Sequence, residues 1–567
     1  MNKTNRNKVV IIVLDVATFD LIMPWVKEGK LPVLSKLIQQ GSWGNLQSTI
    51  PFNSAVAWSS FITGKNPGKH GVFDFRYRTK KSYYMRFVNS FCRQGKSIWK
   101  LLSDAGKKVI VNFVPITYPP EEVNGCLISG LTAPEVCEKI FYPRELFKEI
   151  MSQVGVFTMR PFARDQIRLN KFDKIFEVMT SVVDQHYAVA DYLFKNKDWD
   201  FFCTVFGITD NVQHFFWQHM DPNHPFHNPF DGSVYGDCIL KIYEKVDKML
   251  ESFLERLDDN TTVFVMSDHG LGANSNKAFY LNNWLAQEGF LAFKGGSGAG
   301  TKKGGFLKKS ILMAKKYIPR KYKNKLRGIP WLKSKVETMY WNPNIDWSRT
   351  KAFSYDVFGL IWINLESREL EGVVKDGKEY EDVRSEIIER ALRFTDPETG
   401  EKVFSKAYRK EEIYNGECVK NAPDIILMQK ERDYTYIYRS SGLARNRLPI
   451  EVVTAKENRN NPAQMGSHRL DGVVIMKGKP VQNGKNISGA RIIDIAPTVL
   501  YLMGLPVPND MDGRVITEAI NQSYLDTHPI SYSKVVDSNT NTRHPSEYNK
   551  DEEKQIEEAL KTLGYID

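Results

Sequence analysis

Lys8–Leu14, KVVIIVL, is an unbroken apolar run, β-branched and too short for a helix, as expected of a parallel strand covered on both faces. Similar runs recur at Asp200–Gly207 (DFFCTVFG) and Thr261–Ser267 (TTVFVMS), with further strands read at Gly44–Ile50 and Lys108–Val114. Between them the apolar spacing becomes helical, at Leu31–Gln40 (closed by Gly41), Ser97–Ala105, Phe172–Phe194 and Ile239–Leu257. Helices and strands alternating at this spacing predict an α/β protein with a doubly wound, mostly parallel sheet sandwiched by helices.

The pattern changes after residue 290. Gly295–Gly305 is rich in Gly and Lys, and Phe306–Val336 is basic and interrupted by Pro319 and Pro330. Strand-like runs return at Lys351–Asn364 and Pro423–Met428, with a helix and polar turns in Gly372–Phe404. The core pattern resumes at Pro462–Met476, where His468 is read in a loop before a strand, and in a helix over Ile492–Met503 closed by Gly504. The organisation expected is a core over 1–290, a basic insertion or lid over 291–345 and a cap subdomain over 346–450. The core then returns over 451–525, and 526–567 is a polar tail with a short helix at Glu552–Leu563.

Composition adds little except through charge. The 567 residues, 42% hydrophobic and 12% aromatic, can bury a large core. The formal net charge of +11 comes from one place: Lys302–Lys335 holds 13 Lys/Arg and no Asp or Glu, so the rest of the chain is slightly acidic. That segment, with Phe306, Leu307, Ile311, Leu312, Tyr317 and Ile318 beside its lysines, fits either a solvated lid or a peripheral contact with an anionic membrane. None of the six cysteines forms a CxxC pair, which disfavours a cysteine zinc site. The apolar run after the basic N-terminus stops at Asp15, too early for a signal peptide, and no segment is long and apolar enough to span a bilayer. A cytoplasmic location, peripheral at the membrane at most, is expected.

Candidate chemistry collects where strands end. Asp15 follows the first strand, and Asp268-His269-Gly270 follows TTVFVMS, with Gly270 read as supplying the turn that lets two neighbours face one ion. Asp210 and His214, after DFFCTVFG, are spaced to share a helix face. Taken singly each reads as a cap or a surface histidine. His219, His224 and His227 are too irregularly spaced for a metal site and read as a neighbouring loop. Pro51–Phe75, PFNSAVAWSSFITGKNPGKHGVFDF, places Ser54 at a helix start, either as its N-cap or facing an anion at the helix N-terminus. Asp15, Ser54, Asp210, His214, Asp268, His269 and His468 together offer oxygen and nitrogen ligands for two zinc-type cations, a device for displacement at phosphorus. Zinc is expected, and manganese suits the same donors.

Taken in order, VLDVATFD, the Ser54 segment, TDNVQH, SDHG, GSHRLDGVVIMKG and IDIAPTVLYLMGLPVPNDMDGRV resemble the alkaline phosphatase superfamily, and most its type I phosphodiesterase/nucleotide pyrophosphatase branch. The resemblance implies an alkaline phosphatase-like fold in which Asp15, Ser54, Asp268 and His269 hold one metal and Asp210, His214 and His468 the other. It also implies that Ser54 carries a covalent phosphoryl or nucleotidyl intermediate. Many relatives have Thr there; Ser is chemically equivalent. The sulfatase pattern, Cys or Ser followed by xPxR, is not met by Ser54-Ala55-Val56-Ala57-Trp58. Asn53, Lys65, Lys69 and Arg469 are candidates to hold phosphoryl oxygens. The function expected is a two-metal phosphoester hydrolase acting on a nucleotide sugar, a lipid-linked diphosphate or a headgroup diester. No nucleic-acid specificity is expected, and the oligomeric state is open. The alternatives are a phosphomonoesterase of the same superfamily, which needs extra cations, and a non-catalytic membrane-surface or polyanion-binding protein.

Overall fold

A computed structural model describes residues 7–79, 81–159, 171–294, 344–355, 358–430, 434–439, 448–460, 465–534, 548–562 and 565–566. The basic segment 302–335 lies outside the described residues, and with it both readings made of it.

The strands that carry the site are β1 (Lys8–Leu14), β2 (Ser42–Gln47), β3 (Val109–Val114), β4 (Gly125–Ser129), β5 (Phe201–Phe206), β6 (Thr261–Met266), β7 (Gly270–Phe279), β8 (Gly466–Arg469) and β9 (Asp471–Lys477). A ten-stranded sheet runs in the order β2-β9-β6-β1-β5-β3-β4, extended by short strands at both edges. β6, β1, β5, β3 and β4 are mutually parallel, and β9 enters antiparallel between β6 and β2. β1 is central and explains its own sequence. Val10, Ile12 and Leu14 enter the core on one face, and Val9, Ile11 and Val13 the core on the other. A strand buried on both faces has no polar alternation to keep.

A second, antiparallel sheet orders Ala352–Phe353, Leu360–Ile363, Ile425–Gln429 and Phe404–Arg409, backed by the helix Lys378–Arg393. It has its own core around Trp284, Phe353, Ile361 and Ile426. Lys351–Asn364, read as one strand, is two short strands, with Phe353 opposite Trp362. This layer touches the Ser54 segment directly: the Tyr414 hydroxyl donates to the Ile50 carbonyl at 2.6 Å, and the Asn66 amide donates to Asn415 at 3.1 Å.

Two further readings are corrected. His468 does not lie in a loop but in β8, which pairs antiparallel with β7 and sets His468 opposite Leu271. The C-terminal tail is not simply polar. Its helix, Lys550–Thr562, buries Ile556 and Leu560, and Tyr548, Tyr565 and Ile566 around it are buried in the main core. Among the described residues no helix is long and apolar enough to cross a membrane.

Candidate functional site

Every strand end that bears a candidate meets at one edge of the sheet. Asp15 follows β1 directly, and Val16 behind it is held at φ 55°, a left-handed conformation costly for a β-branched residue. The Thr209 hydroxyl fixes this turn by donating to the Asp15 carbonyl at 2.8 Å. Past β5, Gly207 leads into helix α1 (Ile208–Met220), whose first turn carries Asp210 and whose next carries His214. Past β6, Ser267 locks the bend at Asp268-His269: its hydroxyl donates to the Ala17 carbonyl and accepts from the Val473 amide, at 2.8 and 2.9 Å. Gly270 has no left-handed turn to make. It is needed because a Cβ there would sit 2.2 Å from the Asp471 carbonyl oxygen, where β9 crosses.

Ser54 begins the helix Ser54–Thr63 but does not cap it. Asn53 is the N-cap, its Oδ1 accepting from the Val56 amide at 3.1 Å, and Asp74 accepts from the Asn53 amide at 3.4 Å. Ser54 is thus the first helical residue, fully buried, at the end where backbone N–H groups lack helical partners.

The side chains form two groups. Asp15, Asp268 and His269 each bring a ligand atom within 4.8 Å of the others, and so do Asp210, His214 and His468. In the second group His214 Nε2 lies 3.0 Å from Asp210 Oδ1 and 3.3 Å from His468 Nε2. In the first, His269 Nε2 lies 3.2 Å from Asp268 Oδ2 and 3.1 Å from Ser54 Oγ. The groups adjoin, with the His269 and His468 rings 4.0 Å apart.

All six residues are buried, and this dictates their electrostatics. Burial, then the charges of Asp268 and Asp210, pushes the Asp15 carboxyl well above the usual range. Burial, then His269 and His214, pushes His468 well below the usual imidazole range. Asp15 Oδ1, Asp210 Oδ1 and both oxygens of Asp268 are buried without a hydrogen-bond partner. Three carboxylates with unmatched oxygens beside three imidazole rings fit divalent cations, which would supply the missing charge and take the donor set offered.

The other candidates are placed differently. Lys65 pairs with Asp510, and Lys69 with Asp512 at 2.7 Å and the Asp510 carbonyl at 2.9 Å. Arg469 donates to the Thr435 hydroxyl at 3.0 Å and the Ala273 carbonyl at 2.9 Å. Lys65 and Lys69 brace loops, and Arg469 braces the β7 region and donates to the His468 carbonyl at 3.3 Å, its guanidinium turned to backbone and Thr435. The Asn53 oxygen is committed to its cap. His219 and His227 both engage Gln218, apart from the two groups.

A family model of type I phosphodiesterase/nucleotide pyrophosphatase matches residues 9–460. The chain belongs to this family. Six of the seven metal-ligand candidates of this phosphodiesterase-family chain fall inside the matched span, and His468 falls just beyond it. No curated protein matches the chain. Among solved structures it is similar to phosphonoacetate hydrolase of Sinorhizobium meliloti 1021, at 14% identity and a TM-score of 0.49, over 88% of this chain and 95% of that one. It is also similar to human ectonucleotide pyrophosphatase/phosphodiesterase 5, at 12% identity and a TM-score of 0.46, over 91% and 100% of the two chains. The murine counterpart gives 12%, 0.48 and the same coverage.

One residue of the family member's site escaped the sequence reading. Tyr565, near the C-terminus, accepts a hydrogen bond from Ser54 Oγ at 3.3 Å and donates one to Asp210 Oδ2 at 3.2 Å. The available signal was the apolar spacing Ile556, Leu560, Tyr565-Ile566, which marks a docking face inside a polar tail. Beside the site is a cavity of about 620 Å³, bounded by Asp15, Asp210, Phe113, Phe157, Ile208 and Tyr565 among others.

Proposed function

We propose that this protein is a two-metal phosphodiesterase that acts through a covalent phospho-Ser54 intermediate. Family membership supports phosphoester hydrolysis. The observation that carries the finer reading is the buried Ser54 hydroxyl beside two groups of unmatched carboxylate and imidazole ligands. Asp15, Asp268 and His269 with Ser54 would hold one cation, and Asp210, His214 and His468 the other. Zinc or manganese there would supply Lewis-acid activation and neutralise phosphoryl charge.

The chain's own residues supply the rest. The Gly270 carbonyl, 3.2 Å from His269 Nδ1, orients the ring so that Nε2 stands 3.1 Å from Ser54 Oγ. The Ser54 and Ala55 N–H groups at the start of this helix, next to the Asn53-capped Val56 N–H, would receive a phosphoryl oxygen, favoured by the helix dipole. Full burial of Ser54 keeps bulk water from its hydroxyl. Attack by Ser54 Oγ on phosphorus expels the ester alcohol, and water then cleaves the phosphoseryl bond to regenerate the hydroxyl.

The diester reading is favoured over a monoesterase because Lys65, Lys69 and Arg469, the cations a dianionic end group would need, are engaged elsewhere. Turnover of bis-p-nitrophenyl phosphate and p-nitrophenyl phosphate by wild type and Ser54→Ala tests this. The expected result is diester preference, lost by about a thousandfold or more in Ser54→Ala. Diester turnover that survives Ser54→Ala excludes the covalent route, and monoester preference excludes the substrate class.

A further inference from the structure

Tyr565 stands where a substrate must. Nucleophilic attack needs phosphorus within about 3–3.5 Å of the attacking oxygen. The Tyr565 hydroxyl already lies 3.3 Å from Ser54 Oγ and 3.2 Å from Asp210 Oδ2, touching one member of each ligand group. Its ring fills the space between Phe75, at 4.9 Å, and His468, at 5.3 Å. A phosphoryl group and this phenol are mutually exclusive.

What holds Tyr565 there is a built contact. Ile556 and Leu560 of the helix Lys550–Thr562 are fully buried in the main core, and Ile566 follows them in. Tyr548 stacks on Tyr118, and its hydroxyl donates to the carbonyls of Val88 and Thr132 at 3.2 and 3.1 Å. Glu552 accepts from Tyr118 and pairs with Lys139 at 3.2 Å. The same helix lends Gln555, Glu558, Ala559 and Thr562 to the wall of the cavity beside Asp15 and Asp210. The family match ends at residue 460, before this segment begins.

We propose that the C-terminal segment is an autoinhibitory strap: docked, it seats Tyr565 on the nucleophile in the place of the substrate's phosphoryl group, and turnover requires its withdrawal. The proposal rests on Ser54 being the phosphoryl site. Only Ile556 and Leu560 of the 13-residue helix are buried, with Tyr548 and Tyr565 as aromatic anchors on either side, which suits a reversible contact. Any partner that takes up the apolar face of Ile556 and Leu560 would act as an activator.

The test compares the zinc-loaded full chain with Tyr565→Ala, Tyr565→Phe and Ile556→Lys, the last remote from Ser54. Binding of inorganic phosphate is measured by calorimetry, and amide exchange of residues 550–562 is followed with and without phosphate. The strap predicts phosphate affinity raised about tenfold in Tyr565→Ala, the order set by releasing two hydrogen bonds. It also predicts faster exchange of the wild-type helix when phosphate is bound, and higher kcat/KM for bis-p-nitrophenyl phosphate in Tyr565→Ala and Ile556→Lys. Helix exchange unchanged by phosphate would overturn it. So would lower turnover in Tyr565→Phe, because the phenol would then be a catalytic contact. If no variant hydrolyses any ester yet phosphate still releases the helix, the strap stands and the hydrolase reading falls.

Discussion

Asp15, Asp210 and Asp268 are three carboxylates with almost no water around them, and that single fact governs the chemistry of the centre. Unmatched buried charge is costly, so such a cluster persists only with a compensating cation or with protons in its place. Asp74 shows the proton solution. It is buried beneath the Ser54 helix, and burial pushes its carboxyl up to about 7 against an ordinary 3.8. Its native form therefore binds a proton that the unfolded form releases between those values. The stability it contributes is full below about pH 4 and is lost as pH rises through about 7. Asp74→Asn is expected to remove that slope, read as the difference between wild-type and variant denaturation midpoints from pH 4 to 7.5. A difference that grows with falling pH in the opposite sense would contradict the assignment. Asp15, Asp210, Asp268 and His269 were legible as candidates in the sequence because they come just after buried strands. Tyr565 was not, because its role depends on where a distant tail docks.

The decisive element is the short helix that starts at Ser54. Its position is set at one end by the Asn53 cap and at the other by Gly64, in the left-handed region at φ 66°. Asn53→Ala is expected to cost about 1 kcal/mol, with Asn53→Ser largely restoring it, since either side chain can cap; urea titration measures both. The helix starts at Ser54 as the sequence suggested, but the cap is Asn53 and not Ser54, because Asn and Ser are equally good caps and only the fold decides between neighbours. Lys65 and Lys69, which follow this helix, pair with the loop at Asp510 and Asp512. Lys65→Met and Lys69→Met should therefore leave diester kcat/KM within about threefold of wild type while lowering the thermal midpoint modestly. A large loss of turnover would return these lysines to the substrate. The strand ends were readable from apolar runs, whereas His468 was misplaced into a loop. Gly-Ser-His-Arg carries no strand period, and only pairing with β7 makes it one.

At the scale of the molecule, the central parallel sheet brings residues 15, 210 and 268 to one edge, while Ser54 comes from a helix and His468 from a smaller separate sheet. The doubly wound core was legible because helical and strand periods alternate cleanly. The layer over the Ser54 segment and the docked C-terminus were less so, since they are fixed by long-range contacts such as Tyr414 with Ile50 and Tyr548 with Val88. The central claim is that this edge holds two cations in two separable groups. Metal content after zinc loading and exhaustive dialysis tests it most directly, in wild type, His214→Ala and His269→Ala. The account predicts about two ions per chain in the wild type and about one in each variant. A wild type that retains none, or variants that both retain the full wild-type content, would contradict it.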